Sequence, residues 1–215
     1  PAVIKAMTLI AQATERAQCR FNIDYSKGAE TLLPHLAKLR TLARFLGAAG
    51  GVACERGDGE TAWECVLWQL RLAEALRAEP LLISQLVRLA IGTIACSGVQ
   101  QAAEQLSPAA EIRAVLDQRL ASLDDPQPWV MAIDGERLLF SEWVCNQPLM
   151  KIQELLTGSG TAPAPALNAE QVAAGRVICI RATTRLAELA ARPYHEVRSE
   201  LETFPGPVDG TNPLA

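Results

Sequence analysis

Ala29–Ala78 reads AETLLPHLAKLRTLARFLGAAGGVACERGDGETAWECVLWQLRLAEALRA, and this stretch decides the fold. Leu32, Leu36, Leu39, Ala43, Leu46, Gly50 and Ala53 recur at steps of three and four, which keeps them on one side of a helix from Ala29 to Glu55. Arg56-Gly57-Asp58-Gly59 interrupts that period, with a glycine placed for a left-handed C-cap. From Glu60 to Ala78 the apolar set Trp63, Val66, Leu67 and Leu70, joined by Trp68, Leu72 and Leu76, covers more than one side. A helix of that kind has neighbours on both flanks. The two helices and their short turn therefore predict an antiparallel hairpin.

The same period extends outward in both directions, and strand-like alternation is missing. The expected class is all-α, with antiparallel helical hairpins arranged as a bundle or a short stack of about eight helices. A first helix is expected over Ala2–Gln18, with Val3, Met7, Ile10 and Ala17 on one stripe, followed by a loop over Cys19–Gly28 pinned by Phe21 and Tyr25. Pro80 opens a fourth helix reaching Gln105, and Ser107-Pro108 starts a fifth that ends near Leu123. Asp124-Asp125-Pro126-Gln127-Pro128 is a break, after which a sixth helix spans Trp129–Cys145 and Pro148 introduces a short seventh. Asn168 caps an eighth over Ala169–Ala191, and Pro193 begins a short turn to Glu202. The expected organisation is a helical-hairpin domain over 1–156, a Gly/Pro/Ala-rich connector over 157–168, C-terminal helices over 169–203 packing on the same domain, and an irregular tail over 204–215.

A chain of 215 residues that is 49% apolar has material for a core that needs no metal or disulfide staple. Its 20 basic and 24 acidic residues are scattered and give a net charge of −4, which speaks against nucleic acid as a partner. Leu81–Val99 is nearly of membrane-spanning length. Ser84, Gln85, Arg88 and Thr93 interrupt it, and an arginine near the middle is costly in lipid, so a buried core helix is expected there. Cys19, Cys54, Cys65, Cys96, Cys145 and Cys179 form no Cys-x-x-Cys pair and stand far in sequence from both histidines, so no metal site is expected. Cys54, Cys65, Cys96 and Cys179 have apolar neighbours and read as small hydrophobes, with disulfides left open.

Gly50, Gly57-Asp58 and Ala62 stand at the spacing of a tetratricopeptide repeat, in which small residues let two helices approach and Gly-Asp makes the turn. The hairpin resembles one such repeat, although Ala49, Ala53 and the late Pro80 depart from the pattern. A step of about 34 residues, the repeat length, lands on Ser84, Ile91 and Cys96, so the motif is not renewed. Leu33-Pro34-His35-Leu36-Ala37-Lys38-Leu39-Arg40, Glu79-Pro80-Leu81-Leu82-Ile83-Ser84-Gln85-Leu86-Val87-Arg88 and Gly135-Glu136-Arg137 together resemble a group of uncharacterised bacterial helical proteins. That resemblance implies an apolar anchor upstream of Pro1 and a domain displayed outside the cytoplasm, with membrane association through that anchor alone.

Chemistry-bearing candidates are few. His35 with the Asp24-Tyr25 loop is a candidate binding group, read structurally as a histidine packed on that loop; His195 reads as an exposed turn residue. Arg88 inside an apolar helix must find a partner, and Glu136 or Glu142 is expected to answer it, as a structural pair or as the lining of a polar ligand site. Trp63, Trp68, Trp129 and Trp143 read as core. No nucleophile, phosphate-loop or dinucleotide motif is present, so no catalytic residue, cofactor or metal is assigned. The expected function is a non-enzymatic interaction domain that presents a surface to a protein or peptide, with a bundle enclosing an apolar ligand pocket as the alternative.

Overall fold

Helices begin and end where local chemistry leaves backbone groups without intrahelical partners, and most of the boundaries follow from that. The computed structural model describes residues 2–16, 18–157 and 167–204. Ala17, the residues expected as the connector at 158–166 and those of the tail at 205–215 lie outside the described set. Every regular element among the described residues is helical, so the protein is all-α.

The chain divides into two compact units, one from residues 1–23, 33–79 and 83–128, the other from 24–32, 80–82 and 129–215. The first unit ends at the proline-rich break, and the C-terminal helices fall in the same unit as residues 129–157.

The first unit holds α1 (Ala2–Thr14), α2 (Pro34–Glu55), α3 (Gly59–Glu74), all of α4 (Leu82–Ala103) but its first residue, α5 (Ala110–Ala121) and a 3-10 turn at Ser122–Asp124. α2 starts five residues later than its periodicity suggested. Pro34 occupies its first turn, and Leu33 before it stays outside helical geometry at φ −123, as steric conflict with a following proline ring demands. Leu32, expected on the buried stripe, is consequently 78% exposed. α5 likewise starts at Ala110, beyond Ser107-Pro108, and has no side-chain cap.

At the α2–α3 turn Gly57 adopts φ +70, the left-handed conformation that a β-carbon disfavours. Its N–H donates to the Cys54 carbonyl at 3.0 Å and the Asp58 N–H to that of Ala53 at 2.9 Å, closing the end of α2. Asp58 then caps α3 by accepting from the Thr61 N–H at 3.1 Å. Hydrogen bonds from the Thr61 side chain and backbone hold the Asp58 carboxyl below the usual carboxylate range. α2 and α3 run antiparallel: a methyl placed on Gly50 would lie 3.2 Å from Cys65 Cβ, and Gln69 Nε2 donates to the Ala43 carbonyl at 2.8 Å.

Ile10, Leu36, Ala43, Leu46, Leu72, Leu76 and Ile91 form one buried cluster of this unit. Trp63, Val66, Leu70, Ala95, Ala102 and Leu116 form another with Ala53 and Cys54. The second unit holds a 3-10 turn at Tyr25–Glu30 and α6 (Gln127–Glu136), whose last eight residues lie in this unit and which continues through a π-helical stretch at Arg137–Glu142 into α7 (Trp143–Cys145). α8 (Leu149–Thr157), α9 (Ala169–Ala190) and α10 (Tyr194–Glu202) complete it. Asn168 and Gln171 cap α9 reciprocally: Asn168 Oδ1 accepts from the Gln171 N–H at 2.8 Å, and Gln171 Oε1 accepts from the Asn168 N–H at 2.9 Å. Ala132, Ile133, Ile152, Leu189 and Val197 are its buried apolar residues.

Candidate functional site

α4 is inverted with respect to an ordinary surface helix. Ser84, Gln85 and Arg88 are at most 2% exposed, whereas Ile83, Leu86 and Leu89 are 47%, 53% and 51% exposed. Thr93, Cys96, Ser97 and Gln100 continue the exposed side. The helix is long and apolar enough to cross a membrane, yet only a third of its most apolar window is buried. This corrects the expectation of a buried core helix: one side of α4 is core and the other is uncovered, apolar at Ile83, Leu86 and Leu89 and largely polar from Thr93 onward.

The polar side faces inward because it serves the ends of other helices. Gln85 Nε2 donates to the carbonyls of Leu76 at 3.0 Å and Glu79 at 2.9 Å, just beyond the end of α3, where carbonyls have no intrahelical partner. Ser84 Oγ donates to Glu79 Oε2 at 2.5 Å. Arg88 Nη2 donates to the Ser122 carbonyl at 2.5 Å, at the end of α5, where the helix dipole favours a cation. Burial first, and then the neighbouring Arg77, lower the Arg88 pKa from its ordinary value. Arg77 pairs with Asp125, and Arg119 and Arg71 both reach Glu74 Oε2, at 2.6 and 2.8 Å.

Glu79, 7% exposed, is the hub of a clamp that the sequence did not reveal. Its Oε1 lies 2.8 Å from His35 Nε2, while Ser84 holds its other oxygen. One face of the imidazole stacks on Phe21, with centroids 4.2 Å apart and an 18° interplanar angle. The order Ser–Glu–His puts the carboxylate between hydroxyl and imidazole, and Ser84 is fully buried, so its hydroxyl is closed to a substrate. The arrangement pins the Cys19–Ile23 segment and the start of α2 to the end of α3.

The remaining candidates have local roles. Asp24 is not the partner of His35: its Oδ1 accepts from the Ser26 hydroxyl at 2.6 Å and N–H at 3.2 Å, capping the turn that Tyr25 opens. The Ser26 side chain is the chief reason that its carboxyl lies below the usual range. Glu136 Oε1 accepts from the Leu82 N–H at 3.0 Å and Glu142 pairs with Arg176 at 2.5 Å, so neither expected acid is the group bonded to Arg88. Trp63 is buried, whereas Trp68, Trp129 and Trp143 are half-buried, and His195 is exposed on α10.

Cys54 and Cys65 are buried as expected, and burial pushes the Cys65 thiol up to about 11. Cys96 and Cys179 are instead exposed, because they occupy outward positions of α4 and α9. All six thiols are free. No group of three or more metal-binding side chains gathers among the described residues.

Between α2, α3 and α4 lies a small cleft of about 10 Å³, lined by Gly47, Gly50, Gln69 and Gly98 among others. That is room for about one water, against the several hundred Å³ of a typical ligand pocket. The uncovered side of α4 is the more informative feature.

No protein-family model, curated protein or solved structure matches the chain. The functional reading therefore rests on the geometry alone.

Proposed function

We propose that this chain is a non-catalytic helical interaction domain, tetratricopeptide-like in its α2–α3 hairpin, that presents the outward side of α4 to a protein or peptide partner. The carrying observation is the side-by-side contrast on α4: polar groups occupied inside, and Ile83, Leu86 and Leu89 about half exposed outside. Contiguous apolar surface on a soluble domain marks a contact site more often than it marks nothing. The outward side between Ile83 and Gln100 carries no charge, so covering it desolvates no ion.

The test is photo-crosslinking in cells that make the protein, with a benzophenone side chain placed at Leu86 and, as control, at the exposed Gln118 on α5. A discrete adduct from Leu86 that is absent from Gln118 is expected. Adducts at neither position, or the same adducts at both, would remove α4 as the docking side.

A further inference from the structure

The partner's chemistry can be narrowed further, given the α4 docking side just proposed. A methyl placed on Gly47 would lie 3.5 Å from Ile94 Cγ2, and one on Gly51 would lie 3.4 Å from the Gln101 side chain. Both numbers rise together, so α2 and α4 run side by side in the same direction. Arg40 and Arg44 each precede one of these glycines by seven residues, about two helical turns, and so share the edge of α2 that borders α4. The same step back along α4 from Ile94 reaches Val87, flanked by Leu86 and Ala90.

Arg40 and Arg44 are exposed, and neither makes an ion pair among the described residues; the same holds for Lys38 nearby. α4 carries no acidic residue, and the one acid on the exposed side of α2 is Glu55, at its far end. In a chain of net charge −4, this strip is locally cationic beside an apolar one.

We infer that the surface shared by α2 and α4 takes an acidic amphipathic peptide segment, its apolar side on Ile83, Leu86 and Ala90 and its carboxylates on Arg40 and Arg44. The arginines are four residues apart, matching carboxylates one turn apart on a helical ligand. Glu55 sets the direction, because it repels acid at the C-terminal end of α2. A bilayer is a poorer occupant: Thr93, Ser97 and Gln100 make the strip polar over its second half, and the chain as a whole is anionic.

Panning a random 16-residue peptide display library on the intact chain tests this. Enriched peptides are expected to combine apolar residues with Asp or Glu. A synthetic representative should bind about ten-fold more weakly to an Arg40→Glu/Arg44→Glu variant, and less tightly as salt rises. It should also be lost with Leu86→Asp. All of these positions are exposed, and circular dichroism verifies that the variants fold.

Peptides that need Leu86 but ignore both arginines would overturn the acidic class and leave the docking side standing. Peptides indifferent to Leu86, or no enrichment, would overturn both. Binding to phosphatidylserine vesicles with the same dependence would replace the peptide by a membrane. A concentration-dependent dimer abolished by Leu86→Asp would replace it by a second copy.

Discussion

Replacing Trp63 by alanine is expected to lower the unfolding free energy of the first unit by about 3–5 kcal/mol, the range for deleting a large buried aromatic. The indole is 2% exposed and packs with Ala53, Val66, Leu70, Ala95 and Leu116. These residues come from α2, α3, α4 and α5, so the cavity would open where four helices meet and could not collapse by moving one of them. Trp63→Phe separates packing from polarity. The indole Nε1 has no hydrogen-bond partner among the described residues, so phenylalanine removes an unpaired donor and should lose less than about 1.5 kcal/mol. Urea unfolding followed by circular dichroism measures both. A Trp63→Ala loss below about 1 kcal/mol would contradict the packing described.

Gly28→Ala is expected to destabilise the second unit by about 2–5 kcal/mol, through two costs that add. Gly28 adopts φ 53 and ψ −123, a conformation that residues with a β-carbon rarely take. A β-carbon there would also lie 2.1 Å from Trp143 Cγ, so the indole must leave its place against the Tyr25–Glu30 turn. Gly57→Ala is the internal control, since its φ is +70 but nothing lies within 4 Å of the added carbon. It should cost about 1–2 kcal/mol, the conformational share alone. Equal losses for the two substitutions would show that Trp143 does not rest on Gly28.

Local chemistry made much of this fold legible. The Gly57 turn and the Asn168 cap depend on residues within a few positions of one another, and the small Gly50 marks the close approach of the two helices that this turn joins. The start of α2 was legible too, in Pro34, but the apolar period running back through Leu32 outweighed it. Long-range partners were not legible: nothing near His35 announces Glu79, 44 residues away. Arg88 inside an apolar stretch announces the need for a partner, but that partner is a backbone carbonyl at the end of α5, and a carbonyl leaves no mark in a sequence.

The orientation of α4 is the instructive case. Its mean composition is that of a core helix, and composition cannot say which side is covered. The signal was in the phase: Ser84, Gln85 and Arg88 share one side with Ile91 and Ala95, so polar residues and core residues point the same way. A helix whose polar positions coincide with its most buried ones has its apolar remainder outside.

That orientation carries the functional account, and a partner-free measurement tests it. The unfolding free energy of a Leu86→Asp/Leu89→Asp variant is compared with that of Ile91→Asp, Ile91 being fully buried. The account predicts a double variant within about 1 kcal/mol of the unmodified chain, as for surface substitutions, and a severe loss for Ile91→Asp. A loss in the double variant as large as that of Ile91→Asp would mean that the leucines are core, and that α4 has no free side to offer.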